Sequence, residues 1–206
     1  MDATTALLQL LLLLALGLVT PGPNALTCFA HSGMFGKKSN IPLITGMVVG
    51  FVTIELAVGL LVDSLGDNNT ALLVLHWIGM SFLAAMAVVM YRFDPSTIKV
   101  TTDGGKLGFR TGVLMQFVNG KEWAFIILMM SQFITPLGGG FVGIAVIISI
   151  TVTLCVSAMI AWTFFGNLLS DMFSDETKGP WIFKICGVLL LILGILFLIR
   201  GPPIFE

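Results

Sequence analysis

Charged residues are scarce in this chain of 206 residues: Lys and Arg total 10, Asp and Glu total 11, and the formal net charge is −1. The chain therefore lacks the basic excess that nucleic-acid binding requires. Hydrophobic residues make up 57% of the sequence, and the mean hydropathy is +1.04. A soluble protein of this composition would have too few polar residues to cover its surface. The composition predicts an all-α integral membrane protein.

Cysteines and nucleotide-binding motifs are also few or absent. The chain has three cysteines, all in apolar segments, so we expect no disulfide framework: Cys28, Cys155 and Cys186. No Gly-x-x-x-x-Gly-Lys-Ser/Thr run is present, so the sequence gives no sign of a nucleotide-driven pump or of any cofactor. We expect neither an enzyme active site nor a metal site. His31 and His76 lie near span ends, where interfacial anchoring is the expected role.

The pentad Thr20-Pro21-Gly22-Pro23-Asn24 interrupts the first apolar run. Proline lacks an N–H and clashes with the preceding turn, so no unbroken helix passes through this segment. In a membrane the freed backbone groups must be buried in protein or line a cavity. The pentad therefore predicts a binding site, with a hinge free of substrate contact as the alternative. The first run carries Asp2 but no Lys or Arg at its start, so we expect a span and not a cleaved signal peptide.

Six hydrophobic segments are long enough to cross a bilayer. They cover residues 5–30 (broken), 41–62, 71–91, 112–134, 141–169 and 181–199. The second and fourth connectors contain no Lys or Arg, so the positive-inside rule places the odd connectors in the cytoplasm and both termini outside. We therefore expect a multi-pass protein of the inner (plasma) membrane. The odd connectors carry Lys37, Lys38, Arg92, Lys99, Lys106, Arg110 and Lys178.

The six spans divide into two inverted three-helix repeats, because a unit with an odd number of spans reverses its copy. We predict a first repeat at residues 1–98, a cytoplasmic connector at 99–111 and a second repeat at 112–206. Asn119-Gly120-Lys121 interrupts the fourth span as the pentad interrupts the first. Paired interruptions in inverted halves indicate a transporter site near the midplane of the membrane.

Five groups of residues stand out as motifs: the pentad, Gly36-Lys37-Lys38 with Gly46 and Gly50, Gly108-Phe109-Arg110-Thr111-Gly112, Phe117-Val118-Asn119-Gly120-Lys121, and Gln132-Phe133 with Pro136. Together these motifs resemble the LysE/RhtB superfamily of small amino-acid exporters over nearly the whole chain. The main departure is Gly120, where the family usually has proline. Glycine permits a break without enforcing it, so we expect the first helix to be interrupted and the fourth to be bent at most.

The resemblance implies a secondary transporter that exports amino acids or related small zwitterions. Half-helix N-termini would bind the substrate carboxylate, and freed carbonyls would bind its ammonium group. The amides of Asn24 and Asn119 supply donors and acceptors, although each could instead cap its own half-helix. Gly46 and Gly50 are expected to serve helix packing. The predicted substrate-binding residues are Pro21, Gly22, Pro23, Asn24, Asn119, Gly120 and Lys121.

Three ionisable residues lie deep in spans, where a charge costs about 2.5–3.5 kcal/mol on insertion scales. We expect Glu55 to pair with Lys121, and we predict Glu55 and Glu122 as proton carriers that couple export to the membrane gradient. The alternative is that these charges only hold helices together, and Glu122 could also face a partner subunit in a homo-oligomer.

Three other functions are alternatives to amino-acid export. A metal-cation exporter of the same superfamily would favour clustered ligands, whereas Asp, His and Cys are scattered in this sequence. A thiol–disulfide electron conduit needs a cysteine in the first and fourth helices, and the fourth has none. A non-transporting membrane scaffold would give the charges embedded in the spans no function. Two acids and one base in the spans leave open whether the substrate is a cationic amino acid or a neutral zwitterion.

Overall fold

The computed structural model describes residues 1–19, 22–66, 68–92, 105–175 and 177–201. These residues form helices joined by short turns, with no strand in the described part of the chain. A single 3-10 turn, Lys37–Ser39, connects the second helix to the third. The helices are α1 (Ala3–Val19), α2 (Pro23–Phe35), α3 (Asn40–Ser64), α4 (Asn69–Arg92), α5 (Phe109–Val118), α6 (Gly120–Phe133), α7 (Gly140–Ser174) and α8 (Lys178–Arg200).

Four of the described segments are long and apolar enough to span a membrane, and two bent helix pairs raise the number to six if each pair crosses once. The bent pairs are α1 with α2 and α5 with α6. These segments agree with the predicted membrane protein, and each predicted span overlaps a helix or a bent pair. The four unbent segments are Lys37–Ser64, Asn69–Arg92, Gly140–Phe165 and Lys178–Ile199.

The first break separates α1 from α2, whose axes differ by 46°. Pro23 is the first residue of α2, a position that tolerates proline because its N–H would have no partner within the helix. Gly22 precedes it in an extended conformation (φ −114°, ψ −179°). Thr20 and Pro21 of the pentad lie outside the described residues. The described helices confirm the predicted interruption.

The second break, between α5 and α6, is sharper, with an angle of 67°. The prediction that the fourth span is bent at most is therefore wrong. Asn119 leaves the helical conformation (φ −82°, ψ 87°) although the next residue is glycine and not proline. The indole N–H of Trp123 donates to the Phe117 carbonyl at 3.1 Å, which satisfies a carbonyl that the break leaves free. A local hydrogen bond across the turn thus stabilises this break, whereas proline enforces the first.

Close backbone contact joins α3 to α5. A Cβ atom on Gly46 would overlap the Phe109 carbonyl, and one on Gly112 would overlap the Leu43 carbonyl. One turn along α3, a Cβ atom on Gly50 would lie 2.8 Å from the Val113 carbonyl. The predicted packing role of Gly46 and Gly50 is confirmed. Elsewhere α4 packs on α6 and α8. The helix α3 contacts α5 and α6 at the second break, and α7 contacts α2 at the first, so α3 and α7 flank the two breaks.

Candidate functional site

The two helix breaks meet at Lys121. Its ammonium group donates to the Gly17 carbonyl at 2.6 Å, and its side chain lies 3.3 Å from the position of a Cβ atom on Gly22. The Gly17 carbonyl cannot accept the usual helical hydrogen bond, because the residue four positions on is proline, which has no N–H. A cation is also favoured at a helix C-terminus. Lys121 therefore joins the start of α6 to the end of α1.

Side-chain amides make a second link between the breaks. Asn24 in the first turn of α2 and Gln116 in the last turn of α5 exchange two hydrogen bonds, each 3.0 Å long. The Asn24 amide nitrogen also lies 3.3 Å from an oxygen of Glu122, as a donor to the carboxylate. Neither Asn24 nor Asn119 caps its own half-helix through its side chain. The capping alternative is therefore wrong for both residues.

These groups border a cavity of about 50 Å³, which is room for a few water molecules in this closed arrangement. The lining is divided by chemistry. The polar lining comes from the two breaks: Gly17, Gly22, Asn24, Gln116, Lys121 and Glu122. Apolar lining comes mainly from the unbroken helices α3 and α7: Met47, Val48, Phe51, Val152, Cys155, Ala158, Met159 and Trp162.

The family assignment follows from comparison with known sequences. A family model described as LysE type translocator matches residues 15–201. The chain belongs to this family. The resemblance seen in the sequence motifs is thereby confirmed.

Curated relatives of this LysE type translocator include transport proteins. A cysteine/O-acetylserine efflux protein of Klebsiella pneumoniae subsp. pneumoniae is 26% identical over 156 residues, which cover 75% of this chain and 79% of the relative. A protein of the same description from Salmonella paratyphi A is 24% identical, with the same two coverages. An uncharacterized membrane protein of Vibrio cholerae is 24% identical, covering 70% of this chain and 73% of the relative. No solved structure matches the chain.

The structure brings some of the predicted binding residues of this LysE type translocator together. Gly22, Asn24 and Lys121 line the cavity, and Pro23 and Gly120 are exposed where they begin their helices. The predicted Pro21 lies outside the described residues.

Asn119 and Glu122 occupy different positions at the second break. Asn119 is buried, with no hydrogen-bond partner for either side-chain amide atom among the described residues. Glu122 lines the cavity from the first turn of α6. A carboxylate at this position is favoured by the positive end of the α6 dipole.

Glu55 lies between α3 and α7, fully buried. The Thr151 hydroxyl donates to one of its oxygens at 3.0 Å, and the other oxygen has no hydrogen-bond partner in the described structure. The predicted pair of Glu55 with Lys121 is therefore wrong. Lys121 is directed instead to the α1 C-terminus, where the Gly17 carbonyl accepts its proton at 2.6 Å. Glu55 lies one turn of α3 beyond Phe51, which lines the cavity.

Four contributors to the site were not predicted from the sequence. Gln116 carried a usable signal, because it is a lone amide in the apolar stretch at residues 113–118. Cys155 and Trp162 carried none, because such residues are common in any apolar core. The Gly17 carbonyl also carried a signal, because Pro21 four residues later has no N–H to donate to it.

Both histidines are buried, each 1% exposed, so the expected interfacial anchoring is wrong. His31 Nδ1 lies 2.7 Å from Asn40 Oδ1, and its Nε2 accepts the Leu107 N–H at 2.9 Å. His76 Nδ1 lies 3.0 Å from the amide nitrogen of Gln132. The sequence did not reveal these partners, which come from other helices and connectors. Among the described residues, no group of three or more His, Cys, Asp or Glu side chains could hold a metal ion.

Proposed function

We propose that this LysE type translocator is a secondary transporter that exports amino acids or related small zwitterions from the cytoplasm across the inner membrane. One observation carries the proposal: Lys121, Glu122 and two side-chain amides converge on one cavity at the junction of two broken helices. A zwitterion needs both of its charges neutralised when it leaves water. The cavity offers one group of each sign. The efflux activity printed for the curated relatives agrees with this reading.

Substrate binding would replace bonds that the site now makes within itself. The substrate carboxylate would take the Lys121 ammonium, which now binds the Gly17 carbonyl. The substrate ammonium would then take that carbonyl and the Glu122 carboxylate, which now accepts from Asn24. Lys121, the Gly17 carbonyl and Glu122 would each exchange one hydrogen-bond partner for another, and Asn24 would keep its bonds to Gln116. The site therefore stays satisfied both with and without substrate.

The proposed topology has both termini outside the cytoplasm and the two halves as inverted repeats, with units at residues 1–98 and 112–206. The occurrence of one broken span in each half, α1–α2 and α5–α6, supports the repeat. The basic residues of the odd connectors support the orientation. Alternating access would move one half against the other around the cavity.

We further propose that protons drive export, carried by Glu55 and Glu122. The Thr151 hydroxyl lies 3.0 Å from a Glu55 oxygen and also 3.0 Å from the Ile148 carbonyl, but it has only one proton to donate. With Glu55 ionised, Thr151 donates to the carboxylate. With Glu55 protonated, the acid can donate to Thr151 while Thr151 donates to the Ile148 carbonyl. Thr151 can thus serve both protonation states of Glu55 without moving.

The test is efflux from proteoliposomes preloaded with single labelled amino acids, with and without an imposed proton gradient. We expect efflux of at least one amino acid, faster with the gradient, and at least a tenfold loss in Lys121→Met. Lys184→Met is the matched control, because Lys184 is exposed on α8 and does not line the cavity.

The same vesicles separate the competing functions. Export of divalent metal ions without amino acids would favour the metal-exporter alternative, and movement of neither would favour a scaffold. Equal activity in the Lys121 and Lys184 variants would overturn the proposed site. Equal efflux with and without the proton gradient would overturn the proton coupling and leave the export function intact.

A further inference from the structure

The cavity has two walls of different chemistry. The polar wall comes from the breaks, whereas the wall that faces it from α3 and α7 carries Phe51, Cys155, Met159 and Trp162. We propose, on the basis of the export function above, that the substrate is a neutral zwitterion with an apolar side chain that lies against this second wall. The head group would occupy the polar wall. The two broken helices would recognise what all amino acids share, and the two unbroken ones would select the side chain.

A charged substrate side chain has no partner on the apolar wall. Its described members are hydrocarbon, aromatic and sulfur groups, and desolvating an unpaired charge against them is costly. Lys121 and Glu122 are already required by the head group. Glu55 is an acid of α3 near this wall, but it lies one turn beyond Phe51, fully buried and bonded to Thr151. A lysine or arginine side chain would therefore be rejected.

The space along the apolar wall also sets the length of side chain that binds best. The wall includes Ala158, whose small side chain leaves room beside Cys155 and Met159. Each substrate methylene buried there contributes about 0.8 kcal/mol, which is roughly a fourfold gain in affinity. We expect affinity to rise along the series glycine, alanine, 2-aminobutyrate and norvaline until the wall is filled.

The test is competition by this series, and by lysine, arginine and glutamate, against whichever labelled amino acid is exported. We expect roughly fourfold tighter competition per methylene and at least tenfold weaker competition by the charged amino acids than by norvaline. Ala158→Leu should abolish the gain along the series. Ser157→Leu is the matched control, because Ser157 is the neighbouring residue of α7 and its side chain is exposed.

Competition by lysine or arginine equal to that by norvaline would overturn the apolar subsite while leaving amino-acid export intact. Absence of export for every amino acid would instead overturn the underlying function. If Ala158→Leu fails to fold, Cys155→Ala tests the same wall from the other direction. Its larger cavity should move the optimum to a longer side chain, and an unchanged optimum would contradict the proposal.

A separate cluster of polar residues lies toward the end of the molecule that carries Lys37 and Lys38. We infer that His31, Asn40, Thr163 and the Leu107 N–H form a gate that closes the cavity at this end. Three helices that line the cavity contribute to it. His31 follows Asn24 by seven residues on α2, and Asn40 precedes Met47 by seven on α3, so each lies about 10 Å further along its helix.

The hydrogen bonds of this gate are mutually consistent. Asn40 donates to the Cys28 carbonyl at 2.7 Å and to the Thr163 hydroxyl at 2.8 Å. Thr163 donates in turn to the Met159 carbonyl at 2.8 Å. Because His31 Nε2 accepts from Leu107, Nδ1 carries the ring proton and donates to Asn40 Oδ1.

Asn40 therefore connects α2, α3 and α7. The three gate side chains are nearly inaccessible, with exposed fractions of 1% for His31, 1% for Asn40 and 5% for Thr163. A solute entering from this end would have to separate them. These buried side chains close the cavity at the end that carries Lys37 and Lys38.

Cys155 provides a native reporter for the gate, in a background of Cys28→Ala and Cys186→Ala. A membrane-impermeant thiol reagent is applied separately to each face of reconstituted vesicles. We expect Asn40→Ala to speed labelling of Cys155 at least tenfold from the face that carries Lys37 and Lys38. Thr45→Ala is the control, because the Thr45 hydroxyl is exposed and bonds only the Ile41 carbonyl of its own helix.

An unchanged labelling rate in Asn40→Ala, or a gain only from the opposite face, would overturn the gate. If Asn40→Ala does not fold, His31→Phe removes the Leu107 and Asn40 bonds while keeping an aromatic ring against Phe35. The same acceleration is expected in that variant, and an unchanged rate would again count against the gate. This readout does not depend on which solute is exported.

Discussion

The side-chain amides of Asn24 and Gln116 are paired by two reciprocal hydrogen bonds of 3.0 Å, although 92 positions separate them in the chain. Each residue lies in the helical turn next to a break, Asn24 after the first and Gln116 before the second. The pair therefore sets the distance between the broken ends that line the cavity. Glu122 joins the same network through Asn24.

Removing the first of these two amides should lower the free energy of unfolding more than removing the second one afterwards. We expect a double-mutant cycle of Asn24→Ala and Gln116→Ala to give a coupling free energy of about 0.6 kcal/mol, the mean for hydrogen bonds between membrane helices, and at most about 1.7 kcal/mol. Reversible unfolding in mixed detergent micelles measures it. Additive single-mutant effects would show that the pair does not contribute to stability.

Local chemistry made the helices and the first break predictable. Apolar length specified the spans, and the prolines at positions 21 and 23 specified an interruption without reference to the rest of the fold. The spacing of Gly46 and Gly50 predicted a packing surface for the same reason, because small residues at this interval expose backbone to a neighbour.

Partners that come from distant parts of the chain were not predictable in the same way. Lys121 was expected to find a carboxylate and instead binds a backbone carbonyl, which carries no side-chain signature. The burial of His31 depends on Leu107, which lies 76 positions away in the chain, as well as on Asn40. None of these choices follows from hydrophobic periodicity, which reports only how a helix divides between buried and exposed faces.

The contact between α3 and α5 should be intolerant of a methyl group. Gly46→Ala places a Cβ atom on the Phe109 carbonyl, and neither backbone can move without separating the helices. We expect a loss of unfolding free energy of about 1–3 kcal/mol or more, typical of overpacking. Gly33→Ala is the control, since Gly33 is helical in α2 with no atom within 4 Å of an added Cβ.

Because alanine is the better helix former, the control should be stabilised by up to about 1 kcal/mol. Thermal unfolding in detergent distinguishes the two variants. Equal melting temperatures for Gly46→Ala and Gly33→Ala would show that α3 and α5 do not approach as closely as the structure indicates.

The Thr151 hydroxyl should matter for proton coupling even though it carries no charge. Thr151→Val keeps the shape of the side chain but removes the only group that bonds Glu55 in the described structure. We expect export by this variant to lose part of its pH dependence and Glu55→Gln to lose most of it. Initial efflux rates of the two variants are measured from about pH 5.5 to about pH 8.5, a range of roughly three units around neutrality.

Thr153→Val is the matched control on α7, because the Thr153 hydroxyl is exposed and bonds the Ser149 carbonyl of its own helix. Full pH dependence in Glu55→Gln would remove Glu55 from the proton pathway and leave Glu122 as the remaining candidate. Identical profiles in Thr151→Val and Thr153→Val would show that the hydroxyl does not assist Glu55.

Gly120→Pro should be accepted, because the second break already has the geometry that proline requires. Gly120 is the first residue of α6, where a helix does not use the N–H, and no atom lies within 4 Å of an added Cβ. Asn119 before it is already outside the helical region, as a residue preceding proline must be. We expect wild-type folding and a gain in unfolding free energy of about 0.4–1 kcal/mol, because proline restricts the unfolded chain.

Ala124→Pro, within α6, should instead lower the unfolding free energy by about 3 kcal/mol or more because it removes a helical hydrogen bond. Unfolding free energies of the two variants provide the comparison, and a similar loss in both would mean that α5 and α6 form a continuous helix in the membrane.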